Sequence, residues 1–552
     1  MEQNHSRVPS LCELCLLIWS RNEEWSNVLS LLPSLPPKTL VSFLPTCSCL
    51  ELRDIELACL EKEWILEMTL PLWKKHDIDG RKGYWRKAIS SFITTSKKNH
   101  TLDNHTLEMK RLIIRTYTLI THIKITRTFP PLDLLLSLHH IIQLDLYHIK
   151  CYSEWEKNVP YLVKTMISLK TLGIYFTNLS LEMITSLWKE WSHRKIKQEW
   201  TLKLVGCTVS EEASLALLAF VPTVATLVIE NCSLYDKTTW LDTIRQAREL
   251  KSVTLVDLDL DAEDWSRAVV FGETLGPPVT LTTTVPTTPS PHALTTLDLS
   301  HNTEMGGSGI LSLCCALATF GISQLQSLTL RGIPLGKLGC TALVDTLNKN
   351  QLCQLTILIV DDCHIPPYDM SCLIYALSTN NSSLHTLDIS SNFLGKEVAD
   401  EIVSQVITSF YATLHALFIT RIGLENTFLI VQALSNHSCP SLRTFHLGEN
   451  RMGDTSLLQL IDTCRIQCLA LEELDLHGTS LTNKGLISIC SMLIGKRKWK
   501  EFDFENEIDE NEIDVWPKAV LNINDNQLNS KITTNITQLR RRIPTVFANY
   551  TL

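Results

Sequence analysis

Residues that could do chemistry are present, but their spacing does not group them for it. Cys12 and Cys15 have half of a zinc-finger spacing, and no second CxxC or His pair follows at the distance a tetrahedral site needs. His139, His140 and His364 lack companions at ligand spacing and are expected as ordinary surface or core histidines. Gly306-Gly-Ser-Gly309 has the glycines of a phosphate loop without the lysine that would reach the phosphate. No His-Glu-x-x-His, Gly-x-Ser-x-Gly or kinase set occurs. The expectation is a chain with no catalytic residue, no metal and no cofactor. The acidic run from Glu501 to Glu512 is expected as a solvated end of the fold.

Composition narrows the classes. The 552 residues are 45% apolar, 7% aromatic and 20% charged, as in globular proteins. Fifty basic against 59 acidic residues leave a net charge of −9, which disfavours a phosphate backbone as partner. No apolar stretch of about 18 residues occurs, so no membrane span is expected. Glu2, Gln3, Asn4 and His5 do not make the charged start of a secretory signal. The 18 cysteines are scattered and are expected as reduced core thiols in a cytoplasmic setting. Arg540-Arg-Arg542 leaves a nuclear address open.

The elements that position these residues come from a repeat. Three apolar positions spaced apolar-x-x-apolar-x-apolar recur at Leu294/Leu297/Leu299, Leu325/Leu328/Leu330, Leu355/Leu358/Val360 and Leu384/Leu387/Ile389. They continue at Leu414/Leu417/Ile419, Leu442/Phe445/Leu447 and Leu471/Leu474/Leu476. From 294 to 471 there are 177 residues in six steps, a mean of 29.5. Asn302, Cys363, Asn392 and Asn450 stand eight positions after four of the starts, where a side chain can bond the turn's unpaired backbone groups. This pattern resembles the leucine-rich repeat. Alternating apolar residues give a short strand with one buried face. The i, i+3, i+4, i+7 apolar spacing in Gly309–Leu317 and Gly485–Leu493 gives a helix as the return leg. The period is similar to the ribonuclease-inhibitor type. It implies an α/β horseshoe with a concave parallel sheet and convex helices.

Weaker units precede at Leu144/Leu146, Leu169/Leu172/Ile174, Leu202/Leu204 with Cys207, Val224/Leu227/Ile229 with Cys232, and Leu250/Val253/Leu255. Trp499/Phe502/Phe504 is expected to close a series of about thirteen strands. The step from Leu250 to Leu294 is 44, and its excess holds the Thr/Pro-rich run Gly276–Pro291, which is expected as a loop. The expected organisation is a helical region over 1–125, repeats over 126–271, a loop over 272–292, repeats over 293–515 and a tail over 516–552.

The first region has its own signals. Ser10-Leu-Cys-Glu13 is a capping box, and Leu11, Leu14, Cys15 and Ile18 recur at i, i+3, i+4 and i+7, a one-sided apolar stripe. Ser10-Leu11-x-x-x-Cys15 resembles an elongin-binding BC box. Leu35-Pro36-Pro37, followed by Phe43-Leu44-Pro45, resembles the cullin-facing part of a suppressor-of-cytokine-signalling-type box. A charged helix at Glu51–Ala58, then Leu72-Trp73 and Trp85-Arg86, complete the order. Together these pieces resemble the elongin BC-box leucine-rich-repeat substrate receptors of cullin-RING ubiquitin ligases. The resemblance implies an all-α amino-terminal cap. In it Leu11, Leu14, Cys15 and Ile18 bind elongin B/elongin C, and Leu35, Pro36 and Pro37 bind cullin-5 or cullin-2 with its RING subunit.

A repeat sheet also offers a long face between its buried leucines. Outward positions of successive repeats include Asp298, Arg331, Asp361, Asp388, Phe418, His446 and Asp475. These are the expected contacts for a protein substrate, with Phe418 expected as an exposed aromatic anchor. The alternative is a repeat scaffold or inhibitor with no ligase link.

Overall fold

A computed structural model describes residues 122–126, 141–149, 152–193, 200–267, 293–494 and 520–528, apart from 320, 321, 323, 382, 525 and 527. The chain divides into two compact units, one of Met1–Asp145 with Lys157–Leu169, the other of Leu146–Glu156 with Lys170–Leu552. In the first unit His122–Thr126 is a strand (β1), at the end of the stretch expected to be helical. Gln143–Tyr147 (β2) follows, and the buried Asp145 accepts from His122 Nε2 at 2.7 Å. A helix (α1) runs over Tyr152–Thr165.

The second unit is built on one parallel ladder. Its strands are β3 (Thr171–Tyr175), β5 (Thr201–Val205), β7 (Thr226–Glu230) and β8 (Ser252–Val256). They continue as β9 (Thr296–Asp298), β10 (Ser327–Thr329), β11 (Ile357–Ile359), β12 (Thr386–Asp388), β13 (Ala416–Phe418), β14 (Thr444–His446), β15 (Glu473–Asp475) and β16 (Val520–Asn522). These twelve lie side by side in chain order, with β4 (Asn178–Leu179) and β6 (Thr208–Val209) as a separate short pair. Register is strict: Leu297, Leu328, Leu358, Leu387, Leu417, Phe445 and Leu474 stand opposite one another and are buried. Burying each such side chain stabilises by about 1.5–3 kcal/mol. The ladder answers the problem that no single repeat can bury its own apolar face.

Helices fill the return legs. They are α2 (Leu181–Ser192), α3 (Glu211–Leu217), α4 (Lys237–Gln246), α5 (Gly306–Thr319), α6 (Gly336–Asn348), α7 (Pro367–Asn380), α8 (Ala399–Phe410), α9 (Phe428–Asn436), α10 (Gly453–Gln467) and α11 (Asn483–Ile494). Their apolar stripes supply the second wall of the core, for example Ile402, Val403, Val406, Ile407 and Phe410 of α8. One helix also caps the next. Asp400 accepts from Leu429 and Ile430 N–H at 2.9 and 3.0 Å, satisfying orphan donors at the start of α9. Asp454 accepts from Thr482 N–H at 2.8 Å in the same way.

The asparagines do what their position predicts. Asn450 Oδ1 accepts from Ile422, Gly423 and Leu424 N–H at 3.1, 3.2 and 3.0 Å. Its Nδ2 donates to Ile419 and Leu447 carbonyls at 2.7 and 2.8 Å. Asn302 and Asn392 repeat the arrangement. Each amide thus ties its own turn to that of the preceding repeat, so a turn carrying Leu258 or Ile422 is served by its successor.

Two steps exceed the period, and both leave the ladder unbroken. Ser252 pairs with Thr296, 44 residues on; residues 272–292, expected as a Thr/Pro loop, lie outside the described residues. Glu473 pairs with Val520, 47 residues on. The strand beside β15 therefore falls in the stretch expected as tail, and not at Trp499–Phe504, which lies outside the described residues. Asn526 even completes the turn, accepting from Leu481 N–H at 2.9 Å and donating to Leu476 and Ile523 carbonyls. The strand escaped the sequence pattern because Lys518 stands where the first apolar residue was sought.

Candidate functional site

Strand residues between the buried positions point away from the helices. Register places Asp298, Asp388, Phe418, His446 and Asp475 in one row across the second unit's sheet. Arg331 and Asp361 stand two residues beyond Thr329 and Ile359 of the same row, in the next row along the strands. All seven expected contacts therefore share one face.

The structure links five of them, Arg331, Asp361, Asp388, His446 and Asp475, into two charge networks. In the first, Arg331 Nε lies 2.9 Å from Asp361 Oδ2, and a terminal guanidinium nitrogen lies 3.3 Å from Asp388 Oδ2. Asp388 is buried and takes Ser390 N–H on its other oxygen. Burial and the charge of Asp388 hold the Asp361 carboxyl above the ordinary carboxylate range, against the pull of Arg331. Asp361 Oδ1 is buried without a hydrogen-bond partner.

The second network lies on β14, β15 and their turns. His477 Nδ1 is 2.9 Å from both Asp475 oxygens, and its Nε2 is 3.5 Å from Glu449. The ring packs where Gly448 leaves room: a Cβ there would sit 2.0 Å from His477 Cε1. Burial pulls the His477 pKa down, but Asp475 and Glu449 outweigh it and raise the pKa above the usual histidine value. His446 Nε2 is 3.2 Å from Glu473, at an angle that makes no hydrogen bond.

Phe418 corrects an expectation. It is half-buried, its ring edge-on to His446 with centroids 4.7 Å apart, so it is not the exposed anchor expected. Among the described residues the exposed phenylalanines are Phe176, Phe393 and Phe428, at turns and a helix start. Asp298 is turned inward onto Ser300, whose N–H and hydroxyl it accepts at 3.0 and 2.6 Å. Reading single rows missed Glu449 and Glu473, because each meets a histidine of a neighbouring strand or turn. The repeat period held the signal: Glu473 is in register with Thr444, beside His446.

Leu11, Leu14, Cys15 and Ile18, and Leu35, Pro36 and Pro37, lie outside the described residues. Among the described residues no group of His, Cys, Asp and Glu is arranged to hold a metal, and no helix is long and apolar enough to cross a membrane.

The family model described as Leucine Rich repeat matches residues 291–314, the first unit of the regular series. NACHT, LRR and PYD domains-containing protein 9B of Mus musculus is 26% identical over 228 residues, 35% of this chain and 22% of that protein. The ribonuclease inhibitor of Sus scrofa is 30% identical over 183 residues, 33% of this chain and 39% of that protein. The matches thus span less than half the length of these curated relatives. Among solved structures, the yeast Rad7 and Elc1 complex superposes with a TM-score of 0.40 at 13% identity, covering 74% of this chain and 93% of the other. The TLR13–ssRNA13 complex gives 0.34 at 12% identity, covering 72% and 54%. Twelve parallel strands in register, helices on the return legs and asparagines bridging successive turns give this chain a leucine-rich-repeat fold of the α/β type.

Proposed function

We propose that this chain is the substrate-recognition subunit of an elongin BC–cullin RING ubiquitin ligase, working in the cytoplasm. The observation that carries the receptor half is the single polar face of the ladder, with Arg331, Asp361, Asp388, His446, Asp475 and His477 on a rigid sheet. A repeat sheet of this kind is a protein-binding scaffold, since each strand adds side chains to one continuous surface. The adaptor half rests on Ser10-Leu11-x-x-x-Cys15 and Leu35-Pro36-Pro37, whose order along the chain resembles leucine-rich repeat-containing protein 41. Leu11 would enter the adaptor with Leu14, Cys15 and Ile18 beside it, and the Leu-Pro segment would face cullin-5 or cullin-2. The chain would supply no catalytic group; holding a substrate beside the transferring subunits raises its effective concentration.

Co-purification with elongin B and elongin C tests the reading. Wild type is expected to bind and Leu11→Asp to lose binding at least tenfold, with the repeat unit still folded by circular dichroism. Wild type that never binds sinks the ligase link. The second reading, an inhibitor or scaffold, is favoured by the 30% identity to ribonuclease inhibitor and would then stand.

A further inference from the structure

Two pairs of cysteines occupy equivalent positions in successive repeats. Cys207 stands two residues beyond Val205, and Cys232 two beyond Glu230, its register partner. Cys439 stands five residues before Thr444, and Cys468 five before Glu473, likewise partners. Adjacent strands lie about 4.7–4.9 Å apart. Register-matched residues of a ladder therefore fall within the Cα separation of about 4.4–6.8 Å that a disulfide spans. Register alone does not separate the pairs; their surroundings do.

Cys207 and Cys232 hold the turn position that asparagine holds elsewhere. Cys207 N–H donates to Cys232 Sγ at 3.3 Å. Cys232 Sγ also meets the Glu230 carbonyl at 3.3 Å, and Cys207 Sγ meets that of Ile174 at 3.4 Å. Hydrogen bonding from the Cys232 thiol holds the Cys207 thiol below its ordinary range; burial opposes, and the backbone at Thr177, Val205 and Phe176 assists. The Cys232 thiol is pushed up by Cys207 and by burial. A thiol held low beside a second that stays protonated favours dithiol oxidation, and the 3.3 Å approach of Cys207 N–H to Cys232 Sγ already holds the two turns in contact. The other pair lacks the low thiol. Cys439 is pushed up by Cys468 and burial, and Cys468 also ends high, because Cys464 and burial outweigh the pull of Cys439. Burial likewise pushes the Cys314 and Cys340 thiols up, to about 11 and about 12.

We propose that Cys207 and Cys232 form a hydroperoxide-sensitive dithiol that closes to an intrachain disulfide between the repeats of β5 and β7. The Cys207 thiolate attacks one oxygen of hydrogen peroxide. The O–O bond breaks, hydroxide leaves, and Cys207 becomes a sulfenic acid. Cys232 sulfur then attacks Cys207 sulfur; the S–O bond breaks and the leaving oxygen departs as water, taking the Cys232 proton. Two thiols lose two electrons and two protons in total, and one peroxide becomes two waters. A small oxidant suits the site, since both residues are buried. The bond would fix the turn whose Gly206 carries the exposed Phe176 ring, a Cβ there lying 2.5 Å from Phe176 Cδ1.

The folded full chain treated with graded hydrogen peroxide, then denatured, alkylated and digested without reductant, tests this by mass spectrometry. Expected is one peptide pair joined through Cys207 and Cys232, two hydrogens lighter than its parts and released by dithiothreitol, while Cys439 and Cys468 are recovered alkylated. Recovery of Cys207 and Cys232 as alkylated thiols at peroxide levels that oxidise the exposed Cys315 overturns the proposal. Equal linkage of Cys439 to Cys468 overturns it too, since proximity alone would then suffice. In Cys232→Ser, which keeps a hydroxyl to donate to Cys207 but cannot form the disulfide, folded by circular dichroism, Cys207 is expected to stop at the sulfenic acid and be trapped by dimedone. Absence of that adduct removes Cys207 as the attacking thiol.

Discussion

The repeats of β5–β8 and those of β9–β15 solve one packing problem with different turns. In the first group the strands are five residues long and steps are short: Thr201 to Thr226 is 25 and Thr226 to Ser252 is 26. The return leg after β5 shrinks to the seven-residue α3 and a 3-10 turn over Leu218–Thr223. In the second group the strands are three residues long, steps run from 28 to 31, and full helices return. The turn residue differs as well. Asn302, Asn392 and Asn450 donate and accept at once, whereas Cys207 and Cys232 offer a weak donor and a weak acceptor. An amide locks two turns together; a thiol fills the same space and leaves chemistry open.

The comparison predicts a ranking. Asn450→Ala removes the partner of three N–H and three C=O groups, and should lower unfolding free energy by about 3–5 kcal/mol in urea titrations. Asn450→Cys imports the other group's residue and should lose about half as much, because sulfur replaces only part of the bonding. Cys232→Ala removes one small buried side chain and should cost about 1 kcal/mol. If it costs as much as Asn450→Ala, the contrast between the two turns fails. The smallest effect concerns the polar face. The folded-state pKa of His477 is raised, so its contribution is fully present below the unfolded value and lost as pH rises through the folded one. Wild type should exceed His477→Gln by up to about 1 kcal/mol near pH 5.5, with the gap closing by pH 9. A gap independent of pH would mean that the ring acts by packing on Gly448 alone.

Much of this was legible in the chain. The period read from Leu294 to Leu471 predicts the register of β9–β15, because burial requires one apolar pair per strand. The long step from Leu250 to Leu294 was legible as well, and β8 pairs directly with β9 across it. The 47-residue step to Val520 was not legible: Leu521, Ile523 and Asn526 carry the motif, but Lys518 breaks its first position and the preceding gap hides the phase. The caps from Asp400 and Asp454 were not legible either, since each acts on a helix one repeat away.

Periodic burial is a local property, so spacing alone determined the α/β repeat class, the strands of the regular series and the rows that make up the face. Contacts between side chains one repeat apart depend on how strands stack and where each ring or carboxylate turns. Only the assembled ladder decided that Phe418 rests on His446, that Asp475 and Glu449 hold His477, and that Cys207 meets Cys232.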